Sequence, residues 1–331
     1  MTTTRSGDTA NVKEQGLEVT ITANGDRRTI IIVQKEAVGV TQTKRALKWI
    51  SGSMGRMLYT LPPDMLKFLP LICIYVQDTT DDELKAECQT ALHLMAHTLQ
   101  RTENVQHVLH VIKEISGLGI WRARTAVLTF IQAFVFYNLF TVLQTEHLDQ
   151  IKDVVLHLLV DDQLEVREAA AVTLGGFLHC GYLKIDKQML THFEKLSSTK
   201  VKKQKRQQQV PISIESLIKR HAGILGLSAL VQAYPYDVPE FMPQVLMDLS
   251  NHLDDPQPIQ MTVKKTLSDF RRTHHDNWQD HKQKFTDDQL KGSLIGAGMA
   301  EKWYQHATLP VEHHVTWNRG LWGSISSGLY Y

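Results

Sequence analysis

Cysteine is nearly absent from this 331-residue chain: only Cys73, Cys88 and Cys180 occur. Three thiols cannot build a disulfide framework, and without a CxxC pair they do not form a zinc knuckle, so a reducing compartment is expected. Net charge is also lacking. Lys and Arg number 36 against 35 Asp and Glu, so any electrostatic partner must be met by local clustering and not by the field of the whole chain. Residues 1–10 carry no apolar core, and no signal peptide is expected there. One stretch without charge, Ala126 to Thr145, approaches the ~20 apolar residues that a membrane span needs. Its polar residues Thr129, Gln132, Tyr137, Asn138, Thr141 and Gln144 fall all round a helix, which favours a buried helix and no membrane partner.

Catalytic motifs are missing too. The chain contains no GxxxxGK[ST], no GxGxxG after a strand, no GxSxG and no HExxH, so no enzyme and no cofactor are expected. Histidines are plentiful, with His274-His275 and His313-His314 adjacent. Adjacent residues on a helix point about 100° apart and cannot share a metal as an i, i+4 pair can, so no metal site is expected at them.

What is present is helical. Apolar residues recur at three- and four-residue spacing in Ala46-Leu47-Ile50, Leu92-Leu94-Met95-Leu99 and Val105-Val108-Leu109-Val111-Ile112, which puts them on one face of a helix. Thr79 to Glu83 and Asp161-Asp162-Gln163 supply cap and acidic residues for helix starts. Prolines fall between helical stretches. Residues 1–42 differ. Leu17 to Thr22 and Arg28 to Val33 flank Asn24-Gly25-Asp26, a hairpin signal within an otherwise disordered segment.

A repeat emerges when helix starts are aligned. Leu84-Lys85, Ala123-Arg124, Val166-Arg167 and Val263-Lys264 each pair an apolar with a basic residue and place a small or apolar one three further on. The intervals approximate the ~40–47 residues of a HEAT unit, the last being two units if Lys219-Arg220 opens the missing one. Leu164 to Ala171 carries the second-helix pattern of such a unit. Expected, then, is an all-α fold, an α-solenoid of HEAT-like helix pairs over 43–290, with an irregular tail at 291–331 rich in Gly and holding Trp303, Trp317 and Trp322. Lys200, Lys202, Lys203, Lys205 and Arg206 form a basic loop. It reads either as a solvated loop or as a nuclear-import signal or phosphate-binding patch. No aromatic residue is interleaved, which argues against a single-strand nucleic-acid platform, and no direct sequence-specific nucleic-acid binding is expected.

Tyr234 to Pro239, Asp255-Pro256-Gln257-Pro258-Ile259, Thr262 to Trp278 and Phe285 to Leu290 closely resemble the C-terminal region of the proteasome activator complex subunit 4 family. Val135 to Phe140, Lys219 to Gly223 and Lys67 with Leu69 to Ile74 fit the same family. The resemblance covers roughly 43–290 and implies the last few repeats of a very long HEAT-repeat chain that caps the proteasome core and opens its gate. It implies 20S proteasome α-subunits as partners, acetylated histones as further ligands, and residence in nucleus and cytoplasm. By family position, 115–203 is a bromodomain-like segment and 204–290 the activator C-terminal domain. The family's acetyl-lysine contacts, an adjacent Asn and Phe, fall on Gly181 and Tyr182; Tyr182 keeps an aromatic wall, whereas Gly181 has no side-chain amide. The family's terminal docking motif, hydrophobic-Tyr-any, is met by Leu329-Tyr330-Tyr331. The other reading is a generic HEAT-repeat scaffold that docks nuclear protein partners.

Overall fold

The computed structural model describes residues 17–23, 26–32, 38–57, 63–77, 81–143, 146–200 and 213–291. Strands β1 (Leu17–Ala23) and β2 (Asp26–Ile32) pair antiparallel from Leu17 opposite Ile32 to Ala23 opposite Asp26. That register leaves two residues between the strands, the spacing that the Asn-Gly pair predicts. Helices follow: α1 (Val38–Met57), α2 (Pro63–Leu66), α3 (Leu69–Tyr75), α4 (Asp82–His97), α5 (Thr102–Ser116), α6 (Trp121–Tyr137), α7 (Leu139–Leu143), α8 (His147–Leu159), α9 (Leu164–His179), α10 (Lys187–Ser197), α11 (Ile214–Gln232), α12 (Met242–Ser250) and α13 (Ile259–His274). The short α14 (Trp278–His281) and α15 (Asp287–Lys291) close the described chain. Helix therefore begins at Val38 and not near 43; the β-branched Val38 and Val40 around Gly39 blurred its periodicity.

The chain divides into two compact units. One holds residues 1–130 and 137–142, the other 131–136 and everything from Leu143. In the first, β2 runs beside α1 and β1 beside α2, so the hairpin does not stand alone. Helix α1 lies against α4. Lys44 Nζ reaches Asp81 Oδ2 at 2.6 Å and Glu83 Oε2 at 2.8 Å across that contact, and Lys48 Nζ reaches Glu83 Oε1 at 2.7 Å. Asp81 also caps α4, accepting a hydrogen bond from the Leu84 amide at 3.0 Å. In the second unit α8 pairs with α9, α10 with α11 and α12 with α13, while the second helices α9, α11 and α13 lie side by side. This is the all-α arrangement of HEAT-like helix pairs that the repeat implied, and the aligned basic positions fall on α4, α6, α9, α11 and α13.

Those basic positions are not equivalent. Buried Arg124 donates from Nη1 to the Leu118 carbonyl at 2.7 Å, and buried Arg167 donates from Nη1 to the Asp161 carbonyl at 2.6 Å, in both cases six residues back. Each guanidinium thus ties down the turn that precedes its own helix. Lys85 is exposed and Lys264 half-buried, and a lysine lacks the planar fork for that task. Arg220 instead lies 3.0 Å by Nε from Asp255 Oδ2, which His252 Nδ1 approaches to 2.7 Å. Within the cap signal Asp161-Asp162-Gln163, the cap falls on the last residue. Gln163 is the N-cap of α9, and Asp161 Oδ1 accepts from the Gln163 amide at 2.8 Å one turn earlier.

The uncharged 126–145 stretch is broken at Asn138, between α6 and α7. Ala126, Val127, Leu128, Phe130, Ile131, Phe134 and Val135 are buried. Asn138 Oδ1 accepts from the Gln100 amide at 2.6 Å and its Nδ2 donates to the Thr98 carbonyl at 3.3 Å, so the side chain pins the α4–α5 connection. No described helix is long and apolar enough to cross a membrane.

Candidate functional site

The region that the family resemblance marks for recognition sits at the C-terminal end of α9. Gly181 has φ +71°, the left-handed conformation. Its amide donates to the Leu178 carbonyl at 3.1 Å, and the next amide, that of Tyr182, donates to the Phe177 carbonyl at 2.9 Å. These two bonds are a Schellman cap, with Gly181 the residue that reverses the chain. The apolar contact that accompanies such caps is made by the rings of Tyr182 and Phe177, 6.1 Å apart. Burial first, then neighbouring Cys180, pushes the Tyr182 hydroxyl up to about 12, and the hydroxyl and the Cys180 thiol are hydrogen-bonded to each other. His179 Nδ1 donates to the Ala233 carbonyl at 2.9 Å and ties this end of α9 to the end of α11.

The residue at 181 must therefore satisfy a backbone demand before any ligand. Glycine meets it without strain, and asparagine is the next best residue in the left-handed region. A Cβ placed on Gly181 would meet nothing within 4 Å. Gly181→Ala is thus expected to lose about 1–2 kcal/mol from backbone strain alone, and Gly181→Asn less than that. Urea denaturation of both variants checks the order; equal losses would deny the cap its role.

At the opposite end of α9 begins a buried polar line that the motifs did not announce. Arg167 Nε donates to His221 Nδ1 at 3.2 Å, and His221 Nε2–H donates to Thr262 Oγ1 at 3.0 Å. Thr262 Oγ1 donates in turn to the Pro258 carbonyl at 3.3 Å. One chain of hydrogen bonds thus crosses α9, α11 and α13. Burial first, then the Arg167 charge, holds His221 down at about 3, which fixes it as the neutral tautomer that accepts at Nδ1. In the sequence His221 figures only within Lys219 to Gly223, which fits the family and whose first two residues open the missing repeat.

Lys200 is exposed just beyond α10. Lys202, Lys203, Lys205 and Arg206 lie outside the described residues, as do Leu329, Tyr330 and Tyr331. The last described turn is well anchored. Lys284 Nζ pairs with Asp237 Oδ1 at 2.6 Å, and Thr286 and Gln289 exchange two hydrogen bonds, 2.9 and 3.3 Å, as a capping box. Among the described residues no group of three or more His, Cys, Asp or Glu could hold a metal ion. Cys73 and Cys88 are buried free thiols; burial raises both, Cys88 to about 12, so neither is poised as a nucleophile.

Stacked helix pairs joined by buried polar ties define a helical-repeat protein of the kind that presents surfaces to macromolecular partners. Residues 217–304 match the family described as proteasome activator complex subunit 4-like, C-terminal. The chain is 52% identical over 255 residues to proteasome activator complex subunit 4A of Danio rerio and 51% identical over 262 residues to proteasome activator complex subunit 4 of Homo sapiens. These alignments take in 75% and 76% of this chain and 14% of each relative. Proteasome activator subunit 4 of Arabidopsis thaliana is 32% identical over 239 residues, 72% of this chain and 13% of its own length. The helical region therefore belongs with the C-terminal part of the proteasome activator complex subunit 4 family, and it spans about one seventh of those relatives' length.

Proposed function

We propose that this chain is a proteasome-activator C-terminal region that binds the α-subunits of the 20S core particle and promotes opening of its gate, without catalysis of its own. The observation that supports this most is identity above 50% to proteins named as proteasome activators over three quarters of the chain. In this reading Leu329-Tyr330-Tyr331 inserts between α-subunits, its carboxylate meeting a lysine, and the degradation promoted is independent of ATP and ubiquitin. Nucleus and cytoplasm are the expected compartments, with the basic loop at 200–206 as the import element. Purified chain mixed with core particles should co-sediment with them and raise hydrolysis of a fluorogenic peptide, and removal of Tyr330 and Tyr331 should abolish both. If neither binding nor stimulation occurs, the generic scaffold reading replaces this one.

Acetylated histones enter as ligands through the turn at Gly181 and Tyr182. Tyr182 supplies the aromatic wall, but the hydrogen bond to the acetyl carbonyl has no side-chain donor at 181, a loss of about 1–3 kcal/mol in a closed pocket. Gly181→Asn fits the backbone and restores that amide. Titration with an acetylated histone peptide should show tighter binding to Gly181→Asn than to the native chain; equal binding by both would remove this turn from the histone-reading role.

A further inference from the structure

The i, i+4 histidine pair that a helical metal site requires is present away from the adjacent histidines, on α4. His93 is exposed and His97 half-buried on the same face, one turn apart, with ring centroids 3.7 Å from each other and planes inclined by 35°. His97 Nδ1 lies 2.6 Å from the His93 carbonyl. A carbonyl oxygen only accepts, so Nδ1 carries the proton and the Nε2 lone pair is left for another partner. That is the orientation of a metal-ligating histidine, whose second nitrogen donates to a backbone carbonyl and thereby fixes tautomer and ring plane. The Tyr137 ring, 4.1 Å from that of His97, restrains the imidazole further.

We propose that His93 and His97 form a two-nitrogen chelating site for a borderline divalent transition cation, with Cu(II) bound most tightly and Zn(II) and Ni(II) less so. Neutral imidazoles suit these ions, whereas Mg(II) and Ca(II) require oxygen ligands. Two protein ligands leave further coordination positions to water. Closing a chelate between adjacent turns also ties the last turn of α4, next to the connection that Asn138 pins.

Copper is the most sensitive probe, since affinity peaks there along the first-row series. The full chain, freed of metal with a chelator, is titrated with Cu(II) and read by calorimetry and electron paramagnetic resonance. Expected are one copper equivalent with a two-imidazole nitrogen signature, and its loss or weakening by at least about 10-fold in His93→Gln and in His97→Gln. His110→Gln, at an exposed site on α5, should leave that equivalent in place. Thermal melts in chelator should coincide for all variants, while Zn(II) raises the midpoint of the native chain and not that of the double variant His93→Gln, His97→Gln. The spectrum of the native chain needs no variant, so it tests the site even if a substitution impairs folding. Equal copper stoichiometry and affinity in the native chain and the double variant, or a spectrum without two imidazole nitrogens, would overturn the proposal.

Discussion

Gly223→Ala should leave the chain unable to close the α10–α11 pair, with a loss of about 3 kcal/mol or more and a sharp fall in soluble yield. A Cβ on Gly223 would sit 2.2 Å from the Ser197 amide nitrogen, 2.7 Å from the Leu196 carbonyl carbon and 2.8 Å from the Phe193 carbonyl oxygen. All three are backbone atoms of α10 and its end, so no rotamer change relieves the contact. One helix must move bodily, and overpacking of that kind sits at or above the usual range of about 1–3 kcal/mol.

Gly226, one turn on, differs in an informative way. Its Cβ would fall 2.3 to 2.6 Å from the ring atoms of Phe193, a fully buried side chain. A ring can in principle rotate, so Gly226→Ala should cost less than Gly223→Ala, and shrinking Phe193 to Leu in the same chain should recover part of the loss at 226 and none at 223. Denaturant unfolding of the two single and two double variants measures this directly. Rescue at both positions alike would mean that the helices are not held by backbone contact at Gly223. The consequence reaches the candidate site, since α11 carries His221 and receives the end of α9 through the bond between His179 and Ala233.

Helices, their pairing and the hairpin were legible because each rests on a local signal. The hairpin follows from an Asn-Gly turn between β-branched runs, and α9 from a pattern in which Val166, Ala170 and Leu174 share one face, all of them buried. What could not be read depends on partners distant in sequence. Arg124 and Arg167 look like Lys85 and Lys264 in an alignment, yet only the first two are buried and tie back to a carbonyl six residues earlier. Gly181 was placed by family position as a ligand contact, but its positive φ, and hence its duty as a helix cap, is a backbone property that glycine permits and does not announce. Gly223 gave no sign at all of the 2.2 Å approach. His93 and His97 lie inside the Leu92 to Leu99 stretch whose apolar spacing marks a helix, but their stacking and the proton on His97 Nδ1 come from rotamers.

Acid should weaken this protein through His221 before its carboxylates titrate. The histidine is fully buried, accepts from Arg167 at Nδ1 and donates to Thr262 at Nε2. A second proton would set an imidazolium against a guanidinium with no acceptor between them. The folded protein holds His221 at about 3, against an ordinary value of 6.5. Between those values the unfolded chain binds the proton and the folded chain does not, so stability rises with pH across that window. The contribution is complete above about pH 6.5 and is lost as pH falls toward 3, at no more than about 1.4 kcal/mol per pH unit and on the order of 5 kcal/mol in all. His221→Asn separates this effect from the other groups. Its Oδ1 can still accept from Arg167 but cannot take a proton, and it falls short of Thr262, so about 1–2 kcal/mol should be lost at pH 7.5. Urea unfolding at pH 7.5, 6, 5 and 4 should show the native chain losing stability faster than His221→Asn, the gap narrowing and then reversing. Parallel curves for the two proteins would mean that His221 is already charged in the folded state, and that the line from Arg167 to Thr262 is not held together as the neutral tautomer requires.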